Sequence, residues 1–401
     1  MSQTRRSFLA NGLSISSVAA LGTRIFLILA DAQELQPASD DGLIWYSREY
    51  VTAETPLSHL NTWITPTSSF FVRNNLLMPS IDLDRWHLQV TGEVEHPLEL
   101  SFRELQALRS VDVTNTLECA GNGRAFFEPK IDGLRWGRGA VGNTIFSGPP
   151  LHALLEKARP KAGARHVAFK GMDVVPSGSN EFIRSIPLHK ALDLHTLVAL
   201  RMNRAPLTAE HGYPARALVP GWIGSCSIKW LTEIRVLRNE FDGFYMRSAY
   251  RVTGHQASED AKPIESLHVK SIITSVAPLR VRSRAFTSLQ DQNSALPEHA
   301  VSKREPIRVH GAAWAGENAI AKVEISTDGG RSWRAATLGK EHSPYAWRLW
   351  SFNWDPARFG TFTLQARATD SRGNVQPVKP PWNSGGYMWN GIDEVRVLVE
   401  P

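Results

Sequence analysis

The sequence predicts two folded units in one chain: an α+β domain over residues 33–262 and an all-β, immunoglobulin-like sandwich over residues 263–401. Three observations predict this. Strand-like and helix-like segments mix from about residue 85 onward, without a regular strand–helix–strand repeat. The helical pattern fades after Lys262-Pro263. Beyond that point short alternating strands recur, with turn signals between them. A chain of 401 residues has room for two such cores.

The first 32 residues precede both units. Thr4-Arg5-Arg6-Ser7-Phe8-Leu9 opens a mostly apolar run, interrupted by Arg24 and closed by Ala30-Asp31-Ala32. Twin arginines, an apolar segment and an A-x-A end predict a signal for twin-arginine export, hence a periplasmic location. That route carries proteins already folded, which favours a cofactor inserted before export. Past this segment no stretch is long and apolar enough to span a membrane.

In the first unit, residues 33–60 read as a polar lead-in with short elements. Trp86-His87-Leu88-Gln89-Val90 alternates as a half-buried strand does. Ser101 followed by Glu104 predicts a capped helix start, and Pro149-Pro150 leads into a second helix at Leu151. His166–Phe169 and Ile234–Leu237 read as strands. In the second unit, Ile307–Gly311, Ala321–Ser326, Thr361–Ala368 and Val395–Val399 alternate apolar and polar. Asp328-Gly329-Gly330 before Trp333 predicts a hairpin, and Asp370 to Asn374 a turn. The cysteine pair and tryptophan of true immunoglobulin cores are missing, so the sandwich rests on strand pattern alone.

Charge and motifs exclude several classes. Removing the three arginines and one aspartate of the signal takes the net charge from +6 to +4. No dense basic block or nucleic-acid motif occurs, so nucleic acid is not an expected partner. A mildly basic surface suits a small anionic substrate. No G-x-G-x-x-G opens a helix, and no H-E-x-x-H occurs. No C-x-x-C-H occurs, so no haem is expected in this chain.

Three clusters carry chemistry. The first is Phe70-Phe71-Val72-Arg73-Asn74-Asn75. The second is Thr116-Leu117-Glu118-Cys119-Ala120-Gly121-Asn122-Gly123-Arg124, holding one of only two cysteines. Cys119 and Cys226 are a default disulfide pair in an oxidising compartment. A metal-binding thiolate is the other reading of Cys119, since a nearby guanidinium such as Arg124 favours the deprotonated thiol. The third is His211-Gly212-Tyr213-Pro214-Ala215-Arg216, followed by Val219-Pro220-Gly221 and Ser227-Ile228-Lys229-Trp230. Cationic and donor groups spaced by rigid Gly and Pro suit a phosphate or a polar heterocycle.

In this order, FVRN, CAGN-x-R, HG-x-P-x-R and VPG with Lys-Trp, the chain resembles the sulfite oxidase family of molybdenum enzymes from about residue 60 to its end. The resemblance implies a molybdopterin-binding α+β domain followed by an immunoglobulin-like dimerisation domain. It implies Cys119 as the one protein ligand to molybdenum, and Cys226 as a buried free thiol with a structural role. It implies molybdopterin held by Phe71, Val72, Arg73, Asn74, Asn75, Asp173, His211, Arg216, Ser227, Ile228 and Lys229. Arg73 and Arg124 match the family's substrate arginines, and Trp136 and Tyr250 its pocket aromatics. Planar guanidiniums suit the oxygens of sulfite, each giving two parallel N–H bonds.

Two departures stand out. Position 75 is Asn where the family commonly has His. A further family arginine from the dimerisation domain has no match between Arg372 and Arg396. The segment Tyr387-Met388-Trp389-Asn390-Gly391-Ile392 instead looks like that of sulfane dehydrogenase subunits. The implied activity is oxidation of sulfite to sulfate, with electrons passed to an external c-type cytochrome. The alternative is a sulfane dehydrogenase subunit acting on protein-bound sulfur. A homodimer, or a heterodimer with a cytochrome subunit, is the implied assembly. A related oxo-transfer reductase and an exported binding protein are the remaining readings.

Overall fold

The computed structural model describes residues 42–252, 261–278, 299–302 and 306–401. The export signal expected at 1–32 lies outside the described residues.

The first unit is built mainly of strands. A five-stranded sheet runs in the order Leu98–Ser101, His87–Gly92, Leu231–Leu237, His166–Gly171, Ile183–Pro187. Its one parallel pair joins His87–Gly92 to Leu231–Leu237, strands far apart in the chain. A four-stranded sheet runs Ala205–Pro206, Arg201–Met202, Val141–Gly148, Val111–Glu118. The helices are shorter than the sequence pattern predicts. Leu151–Ala158 is the longest among the described residues, and Phe102–Gln106 is little more than one turn. The cap on the latter is complete: the Glu104 N–H donates to Ser101 Oγ and the Ser101 N–H to Glu104 Oε2. Proline at 149, 150 and 160 bounds Leu151–Ala158 closely, and Pro187 opens the single turn Leu188–Ala191.

The second unit is a sandwich. One sheet runs Lys270–Pro278, Ile307–Trp314, Arg348–Trp354, Thr337–Leu338. The other runs His299–Ser302, Asp393–Glu400, Gly360–Asp370, Ile320–Ser326, Arg334–Ala335. Val309, Val323, Leu364, Ala366, Val395 and Val397 are fully buried between them, as strand alternation requires. The predicted hairpin forms: Ile320–Ser326 pairs with Arg334–Ala335, and the Asp328 carboxylate accepts from the Ser332 N–H and hydroxyl. At the other turn, Asp370 accepts from the Arg372 and Asn374 N–H groups.

The two units share a core. Ile272, Ala312, Trp314, Trp347 and Met388 of the sandwich pack into the cluster that holds Leu88, Val90, Leu154 and Phe169 of the first unit. The second unit is therefore a wall of the first.

Candidate active site

The strand Val111–Glu118 delivers the cysteine. Side chains alternate along a strand, so Leu117 and Cys119 face a cleft while Glu118 turns away from it. The loop after the strand is pinned by short backbone bonds. The Cys119 N–H donates to Ala140 O (3.0 Å), the Asn122 N–H to Cys119 O (2.9 Å) and the Gly123 N–H to Gly137 O (2.7 Å). Gly121 leaves room for Arg124: a Cβ there would stand 3.0 Å from its NH2.

The other walls come from far along the chain. Phe70 to Asn75 is held by the pair Ala53–Val72, whose N–H and C=O groups bond at 2.9 and 3.0 Å. The loop with Asp173 is tied alongside by Leu77 and Val174. Ser227, Ile228 and Lys229 follow the tight turn Gly224–Cys226, closed by the Ser227 N–H donating to Gly224 O, and the Ala217 N–H donates to Ile228 O. The structure thus brings Phe71, Val72, Arg73, Asn74, Asn75, Cys119, Asp173, His211, Arg216, Ser227, Ile228, Lys229 and Tyr250 to one cleft. Phe70, Leu117, Phe182, Gly224 and Ser225 also line it. Phe70 and Leu117 stand inside the motif clusters without a role assigned to them, and Phe182, Gly224 and Ser225 fall outside them, because such side chains carry no chemical signature by themselves.

Two expected residues stand elsewhere. Trp136 is buried in a core cluster with Phe70 and Phe71, edge-on to Tyr46 at 5.1 Å, and does not line the cleft. The Arg124 guanidinium is engaged behind the cysteine loop. Its Nε donates to Gly386 O (3.3 Å) and its NH1 to Leu134 O (3.1 Å), with the Tyr387 ring 5.2 Å away. Tyr387 also stacks on Tyr250 at 5.3 Å. The segment singled out around Tyr387 is thus a strap from the second unit packed against Tyr250, which lines the cleft, and against the cysteine loop. Asn75 takes up Tyr250, its side-chain amide lying 3.2 Å from the phenol oxygen.

The electrostatics are those of an anion site. Arg73, Arg216 and Lys229 converge with a single carboxylate, Asp173. Burial lowers Arg216 to about 10 and His211 to about 3, so His211 is a neutral donor or acceptor. Burial, then the charge of Arg216, pushes Lys229 well below its ordinary value. Burial raises Asp173 to about 6 against the pull of Lys229. Lys229 donates to Asn74 Oδ1 and to Glu210 O. Arg216 donates to His211 O (3.1 Å) and Ser227 O (3.0 Å). Asn74 Nδ2, Arg216 Nε and Ser225 Oγ are buried with no protein partner. Buried polar atoms need partners, so this end of the cleft is cut for a polar, negatively charged ligand.

At the other end stands the thiol. Both cysteines are free, so the disulfide reading is set aside. Cys226 is fully buried, its sulfur 3.6 Å from Arg184 NH2. For Cys119, burial outweighs the Gly121 N–H and the charges of Arg73 and Arg124, and holds the thiol above its usual range. The expected lowering by Arg124 exists but does not win. A thiol held protonated this way gives up its proton when a metal binds. Among the described residues no group of three or more His, Cys, Asp or Glu could hold a metal. A metal at Cys119 must therefore arrive with its other ligands.

Residues 75–245 match the oxidoreductase molybdopterin binding domain, and residues 261–400 the Mo-co oxidoreductase dimerisation domain. The chain is 33% identical over 388 residues to mitochondrial sulfite oxidase of Rattus norvegicus, covering 93% of this chain and 68% of the rat protein. It is 31% identical over 386 residues to sulfite oxidase of Arabidopsis thaliana, covering 88% of this chain and 93% of that one.

The chain belongs to the sulfite oxidase family.

It spans about two thirds of the length of the mitochondrial relatives, 68% for rat and 65% for human. The fold matches that of the sulfane dehydrogenase SoxCD from Paracoccus pantotrophus, with a TM-score of 0.73, 24% identity, and 95% of this chain and 92% of that one covered. Membership fits what the cleft offers. A molybdenum carried by molybdopterin brings its own sulfur ligands and leaves one place for a thiolate. The orphaned donors and the Arg216–Lys229 pair suit its anionic end.

Proposed function

We propose that this chain is a periplasmic sulfite dehydrogenase, exported folded by the twin-arginine route and passing electrons to a separate c-type cytochrome. The observation that carries the reading is one cleft with Cys119 at one end and a nearly uncompensated cation cluster running from Arg73 to Lys229. Bound there, molybdenum–molybdopterin would supply the two-electron oxygen-transfer chemistry. The chain's own residues do the rest. Arg216, Lys229, His211, Ser227 and Asn74 hold the anionic cofactor, and the Cys119 thiolate fixes its metal. Arg73, next to Cys119 in the cleft, attracts and orients the sulfite oxygens with its planar fork. Tyr250, kept neutral by burial, offers an O–H to a substrate oxygen while Asn75 holds its phenol in place. Sulfite and water give sulfate, two protons and two electrons, and the electrons leave singly to the cytochrome.

A second reading, oxidation of sulfur carried on a protein, rests on the likeness of the Tyr387–Ile392 segment to sulfane dehydrogenase subunits and on the fold match to SoxCD. The second unit brings an aromatic ring, Tyr387, against Tyr250 and Arg124.

The test is sulfite-dependent reduction of ferricyanide and of cytochrome c by molybdenum-loaded protein, beside Cys119→Ser. Turnover lost by at least a thousandfold in the variant is the expected result. No turnover of free sulfite by fully loaded protein would overturn the first reading and favour the second.

A further inference from the structure

The residue next to the cysteine is the least expected feature of the site. Glu118 is buried and faces away from the cleft, into the seam between the two units. Its Oε1 accepts from Lys270 Nζ (2.9 Å) and from Asn122 Nδ2 (2.8 Å), and its Oε2 from Trp314 Nε1 (2.7 Å). Lys270 and Trp314 belong to the strands Lys270–Pro278 and Ile307–Trp314 of the sandwich. Lys270 is as buried as its partner and also reaches Asn122 O at 3.3 Å. Asn122 is used at both ends of its amide, because its Oδ1 accepts from the Ala140 N–H (3.1 Å). Ala140 O in turn holds the Cys119 N–H. The strap closes the bracket, the Met388 N–H donating to Ala120 O at 2.8 Å.

We infer that Lys270 of the second domain is a positioning residue for the metal-binding thiolate, acting through Glu118 and Asn122. The inference takes Cys119 as the molybdenum ligand and holds for either substrate. Its physical basis is the arrangement of donors. A buried carboxylate with three good donors is fixed in direction, and a strand cannot turn Glu118 without turning Cys119. Four bonds from the second domain and its strap thus meet the five residues from Glu118 to Asn122. A cavity of about 10 Å³, room for about one water, lies beside them, bordered by Cys119, Asn122, His268 and Lys270. The dimerisation domain, on this inference, sets the thiolate geometry as well as any assembly.

An ion pair that only glues two domains would look similar in a melting experiment, so the test needs a readout at the metal. The variants are Lys270→Met, Glu118→Gln and the double variant, all full-length and molybdenum-loaded. Lys190→Met is the control. Its pair with Glu317 (2.7 Å) also joins the domains and shares no partner with the cysteine loop. Measured are the thiolate-to-metal absorption band, the rate of molybdenum loss on dialysis, and kcat and KM separately.

Either single variant leaves one buried charge unpaired. The expected results are a shifted band, molybdenum loss about tenfold faster, and a kcat about tenfold lower with KM nearly constant. Lys190→Met lowers the melting temperature and leaves the band and kcat in place. Where the single variants do not fold, the double variant, which carries no unpaired charge, gives the answer through its band. A wild-type band and molybdenum loss rate in any folded clamp variant would overturn the inference. A shifted band in a variant that lacks sulfite turnover even in its parent would leave it standing and fault only the choice of substrate.

Discussion

At the scale of single residues, the cation cluster stabilises a ligand at the expense of the empty fold. Arg216 is buried and Lys229 half-buried, Arg216 stands close enough to lower Lys229, and Asp173 is the one carboxylate lining their cleft. Desolvated like charges of this kind are kept where a bound anion offsets them. Lys229→Met removes one charge-assisted contact, worth about 1.5–3 kcal/mol. That predicts about a ten- to hundredfold loss of cofactor affinity. Its signature is a low molybdenum and pterin content of the purified protein, with a melting temperature for the cofactor-free form no lower than that of the parent. A neutral His211 has a matching consequence. Its value of about 3 means that cofactor binding does not weaken through this residue as pH rises from 5 to 8.

Elements show why the strap and the cysteine loop must be read together. Gly123 sits at φ +88, and a Cβ there would fall 2.6 Å from the Trp389 ring. Trp389 is itself locked against Phe127 at 5.0 Å and Phe126 at 5.7 Å. Gly123→Ala is therefore expected to destabilise the chain by about 1–3 kcal/mol through overpacking, besides its backbone strain. Gly163→Ala isolates the second part, since Gly163 has a similar φ of +93 and nothing within 4 Å. Urea unfolding of both variants gives the difference.

The same elements show what the sequence made legible. Strands such as Thr361–Ala368 were readable because side-chain alternation and turn chemistry are local. Cys119, Arg216 and Lys229 were readable because motif order carries them together. The Glu118 clamp was not, because its partners lie 152 and 196 residues away and nothing near Glu118 marks it as buried. Trp136 and Arg124 were assigned by motif position, but which way a side chain leaves its loop depends on contacts such as Gly386 O and Tyr46 that form only on folding.

The molecule as a whole is held at a seam rich in buried charge, and this makes its stability depend on pH. Besides the Glu118–Lys270 pair, Arg138 NH1 bonds Asp393 at 3.2 Å. Glu54 accepts from the Gly137 N–H nearby at 2.9 Å. Burial raises Glu54 from 4.5 to about 7, against the opposing pull of Gly137, Tyr46 and Arg138, and it raises Asp393 as well. A carboxyl whose folded value is raised binds its proton more tightly in the folded state. Its contribution is fully present below pH 4.5, the unfolded value, and is lost as pH rises through about 7. The melting temperature is therefore expected to fall between pH 5 and pH 8. Glu54→Gln keeps an acceptor for Gly137 and has no proton to lose, so it flattens that slope. The shift corresponds to at most about 3 kcal/mol at pH 8, where the variant becomes the more stable protein. Melting curves of both proteins across this range decide the matter. A parallel fall in the two would place the pH dependence on Asp393, whose replacement by Asn would then flatten it, keeping an acceptor for the Ile273 N–H and losing the charge paired with Arg138.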